Sequence, residues 1–234
     1  MNQIPVVHKE IPPQLPFNSC AIIRTLTLIA AISGLLVVLV VEWTRPQIAA
    51  NQRQAVEAAI FAVIPGAVQW RPFTLNAEGE VRQNASAGGT HIYTGYDEHG
   101  AIVGFAAEAA SQGYADIIRL LYGYRPDCHC ISGIKILKSA ETPGLGDKIF
   151  TDSDFIANFT ALDTRLDAGG QALLHPIVTV RHGKKENPWE IDAISGATIS
   201  SRAIGRALDE SASALLPQLM RQLPQFTLPE ETTP

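Results

Sequence analysis

Cysteine is scarce in this sequence, which has three in 234 residues. Three cysteines cannot build the disulfide framework of a small secreted scaffold, and only Cys128 and Cys130, separated by His129, lie close together. No second pair at the required spacing completes four zinc ligands, because the remaining histidines are scattered along the chain. We interpret the cluster as a turn beside Pro126 and Gly133; a local redox role, or a metal shared with a neighbouring subunit, are the alternatives.

An excess of positive charge is also missing, since 18 basic and 23 acidic residues give a net charge of -5. A protein that binds nucleic acid presents a basic stripe to the phosphate backbone, and this sequence has no such stripe. We therefore expect no nucleic-acid partner. The length and the 46% hydrophobic content instead suit one globular domain plus one additional element.

The most conspicuous feature that is present is an uncharged run, LTLIAAISGLLVVLVV, from Leu26 to Val41. Together with the apolar residues 21–23 it is long enough to cross a bilayer as one helix. The alternative is a cleaved signal peptide, but residues 42–46, EWTRP, offer no small-x-small cleavage site. We therefore predict a retained, single-pass anchor. Basic residues are balanced on its two flanks, so the charge rule leaves its topology open.

Beyond the anchor, the pattern predicts an α+β domain in which antiparallel strands have flanking helices. Arg45-Pro46 is expected to turn the chain toward water, and Pro65-Gly66 is expected to stop a juxtamembrane helix. The last helix is predicted to break at Pro217. The predicted elements are hairpins over 91–107 and 117–137, helices over 152–159 and 200–216, a strand over 176–181, and a loop over 79–89. The predicted organisation is a short N-terminal segment (1–20), the transmembrane anchor (21–43), the juxtamembrane helix (44–66), the globular domain (67–223) and a loose C-terminal tail (224–234).

The most informative stretch, DAISGATISS over residues 192–201, lies immediately before the last helix. Gly196 and Ala197 allow the backbone to approach a bound group, and the following helix offers unpaired amides and a positive dipole end to a phosphate. The hydroxyl of Thr198 would then lie beside that phosphate. On these grounds alone, an ordinary serine or threonine N-cap is the simpler interpretation.

A second stretch, ETPGLG over residues 141–146, has the composition of a loop that packs against a flat ring. Pro143 fixes one torsion and the two glycines permit positive φ, so the backbone can approach a ring closely. Leu145 would cover the face of the ring while backbone groups bond to its edges. Taken alone, this segment is only a turn.

Together, the two stretches resemble the FMN-binding domain shared by the G subunit of the Rnf electron transport complex and the C subunit of the sodium-translocating NADH:quinone reductase. The resemblance implies that a flavin transferase uses FAD to join the phosphate of FMN covalently to Thr198, and that Asp192 is the acidic residue this transferase recognises. Glu141 is then a positioning residue near the flavin, and we expect no catalytic residue and no metal ligand set. The implied cofactor-binding residues are Thr198, Ser195, Gly196, Ala197, Glu141, Thr142, Gly144, Leu145 and Gly146.

The resemblance favours the Rnf G subunit, because the chain is compact and has TRPQIAAN at residues 44–51, just after the span. It implies an electron-carrying subunit of a membrane-bound, ion-translocating ferredoxin:NAD oxidoreductase, without turnover of its own. The domain is expected on the periplasmic side of a bacterial inner membrane, with the other subunits, the flavin transferase and the lipid bilayer as partners. The alternatives are a C-type subunit of a sodium-translocating NADH:quinone reductase and a non-redox assembly subunit of the same fold.

Overall fold

The computed structural model describes residues 19–76, 80–83 and 89–227. Most of the loop predicted over 79–89, and residues 228–234 of the predicted tail, lie outside these ranges. The chain divides into two compact units, and the boundary falls between Asn51 and Gln52.

The first element, α1 (Ser19–Val63), is one helix of 45 residues. Its mean hydropathy reaches 2.3 in its most apolar window, so by length and composition it can cross a membrane. The helix continues through Pro46, so the turn predicted at Arg45-Pro46 is wrong. A proline removes one amide donor, and the carbonyl of Glu42 that loses its partner lies on an exposed face of the helix, where water can replace it.

The second unit is built on one antiparallel sheet with the strand order β2-β1-β3-β4-β5-β6-β7. The predicted hairpins are confirmed as β3–β4 and β5–β6, whereas β1, β2 and β7 have no counterpart among the predicted strands. The seven strands are β1 (Gln69–Leu75), β2 (Val81–Gln83), β3 (Thr90–Tyr96), β4 (Ile102–Gln112), β5 (Ile117–Arg125), β6 (Cys130–Lys138) and β7 (Leu162–Asp163). A separate parallel pair is formed by β8 (Val178–Val180) and β9 (Glu190–Asp192).

Helices cover both faces of this sheet. The predicted short helix is confirmed as α2 (Ser153–Ala157), and the final helix is α3 (Thr198–Arg221). Along the strands, Ala107 and Leu120 pack in the cluster that contains α3, whereas their neighbours Ala106 and Leu121 pack with the last turns of α1. The sheet therefore has α3 on one face and residues 59–63 of α1 on the other.

The end of the chain departs from the prediction in two ways. Helix α3 passes through Pro217, which is buried in the core, so the predicted break is wrong and the helix ends only at Arg221. A 3-10 helix follows (Leu223–Phe226), and the ring of Phe226 is fully buried. The hydroxyl of Tyr96 donates to the carbonyl of Phe226 at 2.6 Å. Residues 224–226 are therefore part of the packed domain rather than of a loose tail.

The antiparallel pairing divides the strand connections between two ends of the sheet. The 113–116 end holds the β4–β5 turn and the chain that follows β6. The 126–129 end holds the β5–β6 turn and the β3–β4 turn. Strand β5 has nine residues, so at about 3.3 Å per residue the two ends lie roughly 25–30 Å apart.

Candidate functional site

A cavity of about 440 Å³ opens at the 113–116 end of the sheet. Three chain segments meet there: the β4–β5 turn, the loop after β6 and the N-terminus of α3. The volume lies within the range of about 300–1,000 Å³ that small-molecule sites occupy. This site cavity is lined by Tyr114, Glu141, Thr142, Leu145, Gly146, Gly196, Ala197, Thr198 and Ile199.

The carboxylate of Glu141 joins the three segments. Its Oε1 accepts hydrogen bonds from the amides of Tyr114 at 2.9 Å and Ala115 at 3.2 Å, and its Oε2 accepts from the hydroxyl of Ser200 at 2.5 Å. The side chain is 7% exposed, so three donors replace most of the water that the charge would otherwise bind. Glu141 therefore holds the walls of the site cavity in place.

Two glycines allow the chain to close on this carboxylate. A Cβ at Gly113 would lie 2.3 Å from Oε1 of Glu141, and a Cβ at Gly146 would lie 2.7 Å from its Oε2. Both distances are far below a normal van der Waals contact. Only glycine fits at either position while the carboxylate keeps its partners.

Helix α3 begins at the site cavity without a side-chain cap among the residues that the structure describes. Its N-cap position is Ala197, and the amide of Ser201 makes the first intrahelical bond, to the Ala197 carbonyl at 2.9 Å. The amides of residues 198–200 come before that bond and have no intrahelical acceptor. The Ser201 hydroxyl does not cap them either, because it donates back to Ala197 and accepts from the Ile194 amide.

The N-terminus of α3 is therefore arranged to receive an anion, and the ordinary N-cap interpretation does not describe it. Unpaired amides and the positive end of the helix dipole both favour negative charge at this point. Thr198 is the first residue of the helix, is half-buried and lines the cavity. Its hydroxyl is thus carried by the residue at which an anion would bind.

Asp192 lies outside the site cavity and supports the neighbouring turn. Its two carboxylate oxygens accept from the amide of Gly183 at 2.7 and 3.0 Å, and Nδ1 of His182 lies 3.6 Å from its Oδ2. The side chain remains 27% exposed. Asp192 and Ser195 both line a second, smaller cavity of about 240 Å³.

Lys185 is connected to the backbone of Asp192 through the side chain of Asn158. Its Nζ donates to Oδ1 of Asn158 at 3.0 Å, and the same oxygen accepts the backbone amide of Asp192. Burial lowers the pKa of the Lys185 ammonium, and the carboxylates of Asp192 and Glu190 oppose that shift. Asn158 therefore links the lysine to the strand that leads into the DAISGAT segment.

The structure brings the predicted cofactor-binding residues together in the lining of the site cavity, with two exceptions. Ser195 lines the second cavity, and Gly144 turns the 141–146 loop with a φ of 77°. Sequence reasoning missed Tyr114 and Ile199, which line the cavity and are 68% and 53% exposed. Tyr114 could have been found from the sequence, because it directly follows a glycine at the end of a strand.

Comparison with known proteins agrees with this geometry. The family model described as the FMN-binding domain matches residues 113–213, a range that contains every residue lining the site cavity. The chain is 32% identical to the G subunit of the ion-translocating oxidoreductase complex of Methanosarcina acetivorans, over 80% of this chain and 89% of that protein. It is also 34% identical to the G subunit of the Na(+)-translocating ferredoxin:NAD(+) oxidoreductase complex of Acetobacterium woodii, over 51% of this chain and 52% of that protein.

Solved structures show the same fold. The crystal structure of Shewanella oneidensis NqrC matches with a TM-score of 0.53 and 21% identity, covering 71% of this chain and 85% of that chain. The C subunit of the Na(+)-translocating NADH-quinone reductase from Parabacteroides distasonis matches with a TM-score of 0.53 and 19% identity, covering 65% and 78%. The predicted α+β fold is thereby confirmed. By its sequence relatives and its FMN-binding domain, the chain belongs to the family of G subunits of ion-translocating oxidoreductase complexes.

Proposed function

We propose that this chain is the electron-carrying subunit of a ferredoxin:NAD type of ion-translocating oxidoreductase, and that it holds FMN through a phosphoester bond to Thr198. The observation that carries the proposal is the position of Thr198, at an uncapped helix N-terminus that opens into the site cavity. The chain is expected to work only together with the other subunits of the complex, because a fixed carrier passes electrons between neighbouring centres.

The residues of the site cavity fit FMN at both of its ends. The free amides at 198–200 and the helix dipole suit the phosphate. Tyr114, Leu145 and Ile199 are large apolar side chains that are more than half exposed around the same cavity, and a flat ring would cover them. Bound FMN supplies reversible electron transfer, while the protein supplies its position and electrostatic surroundings.

Attachment requires a phosphoryl transfer to Thr198 from FAD, with a flavin transferase as partner. The Thr198 Oγ1 forms a bond to the phosphorus of the FMN half, the phosphoanhydride bond of FAD breaks, and AMP and the hydroxyl proton leave. Asp192 is 27% exposed and lies six residues before the acceptor, so we assign it to recognition by the transferase. Its bonds to Gly183 give it a second, structural role.

In the same proposal, α1 crosses a bacterial inner membrane, with the globular unit on the periplasmic side. The support is the length and apolar composition of α1 and the exposure of its side chains from Ile22 to Val41. The lipid bilayer is then a partner of the chain.

The alternative, the quinone reductase subunit of C type, has support at the level of fold alone, since the matching NqrC structures are 21% and 19% identical. Both subunit types share the proposed flavin chemistry. A non-redox assembly subunit would carry no flavin, so the presence or absence of bound flavin distinguishes the two roles.

The test is flavin fluorescence on a denaturing gel, with the chain produced in a host that contains the transferase. We expect fluorescence from the unaltered chain and from Ser213→Ala, which removes an exposed hydroxyl farther along α3, outside the site cavity. We expect none from Thr198→Val. Absence of fluorescence from the unaltered chain, or its persistence in Thr198→Val, would contradict the proposed attachment.

A further inference from the structure

A disulfide joins Cys128 and Cys130 across His129 in the β5–β6 turn. The turn predicted from the sequence is confirmed at residues 126–129, and the described residues contain no cluster able to hold a metal ion. The turn is at the 126–129 end of the sheet, roughly 25–30 Å from the site cavity at the other end. Flavin binding therefore gives no reason for the disulfide.

Stability gives little reason for it either. A disulfide restricts the unfolded chain less as the loop it closes becomes shorter, and this one encloses a single residue. The turn is also closed by strand pairing, because Cys130 pairs with Arg125 of β5 and with Asp163 of β7. Removing the disulfide would leave these ladders in place.

Hydrogen bonds hold the turn independently of the sulfur atoms. The carbonyl of His129 accepts from both the amide and the hydroxyl of Thr164, each at 3.0 Å. The Nδ1 of His129 lies 3.2 Å from the hydroxyl of Tyr124. His129 has a φ of 50°, and these contacts maintain that left-handed conformation. After reduction, the two cysteines would therefore stay side by side, with their Cα atoms near the present 5.2 Å.

The two sulfur atoms differ in accessibility. Cys128 is exposed, whereas Cys130 is 6% exposed at the start of β6. An external thiolate can therefore reach the sulfur of Cys128 and not that of Cys130. The reduced Cys128 thiol would also have an acceptor, because the Arg125 carbonyl lies 3.7 Å from its Sγ.

We propose that Cys128 and Cys130 form a reversible thiol–disulfide exchange site for a small monothiol of the glutathione class. The incoming thiolate attacks Sγ of Cys128, the Cys128–Cys130 bond breaks, and Cys130 leaves as a thiolate that takes up a proton. A second thiolate then attacks the sulfur of the external thiol in this mixed disulfide and releases Cys128. In total, two monothiols are oxidised to one disulfide, and the cysteine pair gains two electrons and two protons.

The test measures alkylation of the full-length chain in the Cys20→Ser background, because Cys20 is a free, exposed thiol. The folded chain is incubated with glutathione at graded ratios of reduced to oxidised form and quenched in acid. Every sample is then unfolded in neutral denaturant with N-ethylmaleimide, so that the buried Cys130 is also alkylated, and weighed intact. We expect no maleimide before incubation, two after reduced glutathione, and none again after oxidised glutathione. Absence of maleimide after incubation of the folded chain with reduced glutathione, or thiols that oxidised glutathione does not reclose, would overturn the proposal.

A matched pair of variants tests which sulfur is attacked. In the same Cys20→Ser background, Cys130→Ser leaves only Cys128, which should form a one-to-one adduct with oxidised glutathione. Cys128→Ser leaves the buried Cys130, which should form that adduct at least about tenfold more slowly, because limited access slows exchange. Equal rates would overturn the assigned order of attack. The alkylation test needs neither variant, so it stands even if one of them fails to fold.

Discussion

Glu141 shows how one buried carboxylate organises a site made from three segments of chain. Its sequence neighbours predict a loop at 141–146, and the resemblance to FMN-binding domains assigns that loop to the flavin. Neither the loop nor the resemblance reveals that Glu141 binds the amides of Tyr114 and Ala115 and the hydroxyl of Ser200. Those contacts depend on tertiary packing, which brings together residues that are separated by 26, 27 and 59 positions in the sequence.

The substitution Glu141→Gln tests this arrangement. A glutamine keeps the shape of the side chain, but its NH2 group would face a donor that binds the carboxylate in the unaltered chain. The donor would then be buried without an acceptor, which costs about 1–3 kcal/mol. We expect the free energy of unfolding to fall by about that amount in urea denaturation. The control Glu108→Gln changes an exposed carboxylate on β4 and should stay within about 0.5 kcal/mol. Equal stabilities for the two variants would contradict the role of Glu141.

Tyr122 gives the chain a stability limit at high pH. Burial raises the pKa of its phenol to about 12, although the bond to Ser211 opposes the shift. The unfolded tyrosine ionises near pH 10 and the folded one near 12, so the stability it contributes is complete below pH 10 and is lost as the pH rises to 12. We expect the slope of unfolding free energy against pH over this window to be smaller in Tyr122→Phe. An unchanged slope would show that the phenol is accessible in the folded state.

At the scale of whole elements, two prolines mark where sequence patterns were insufficient. Rules for isolated helices predict a turn at Pro46 and a break at Pro217, yet α1 and α3 continue through them. A proline in a helix interior costs about 3 kcal/mol, but tertiary packing supplies most of the stability of a helix in a protein, and Pro217 is buried. Strand β1 was missed for a related reason, since Pro72 lies within it. The hairpins were predictable because alternation and turn residues act locally.

Helix α3 is also fixed to the 113–116 end of the sheet by Arg206. Its Nε donates to the hydroxyl of Ser111 and its Nη2 to the carbonyl of Gln112, each at 2.8 Å. We expect Arg206→Ala to lower the free energy of unfolding by about 1 kcal/mol, because two hydrogen bonds at a solvent-exposed site are lost. Arg202→Ala is the matched control: it is exposed on the same helix and has no partner in the part of the chain that the structure describes. Equal denaturation midpoints for the two variants would rule out this attachment.

At the scale of the whole molecule, the proposed anchoring by α1 predicts behaviour in membranes. The chain should stay in the membrane pellet after an alkaline carbonate wash. The double substitution Ile32→Arg and Leu35→Arg should release it, because each charge near the centre of a span costs about 2.5–3.5 kcal/mol. The matched control, Gln47→Arg and Asn51→Arg on the same helix beyond the apolar run, should leave the chain in the pellet. Release of the unaltered chain by carbonate would show that α1 does not span the bilayer.

The central claim, a flavin fixed to Thr198, is tested most directly by the mass of the peptide that contains residues 192–201. The chain is purified from a host with an active transferase, verified by flavin attachment to a known substrate in the same cells, and then digested and fragmented. We predict a mass gain of one FMN less water, located on Thr198, and an unmodified peptide from Thr198→Val. An unmodified peptide from the unaltered chain, or a flavin on another residue, would contradict the account.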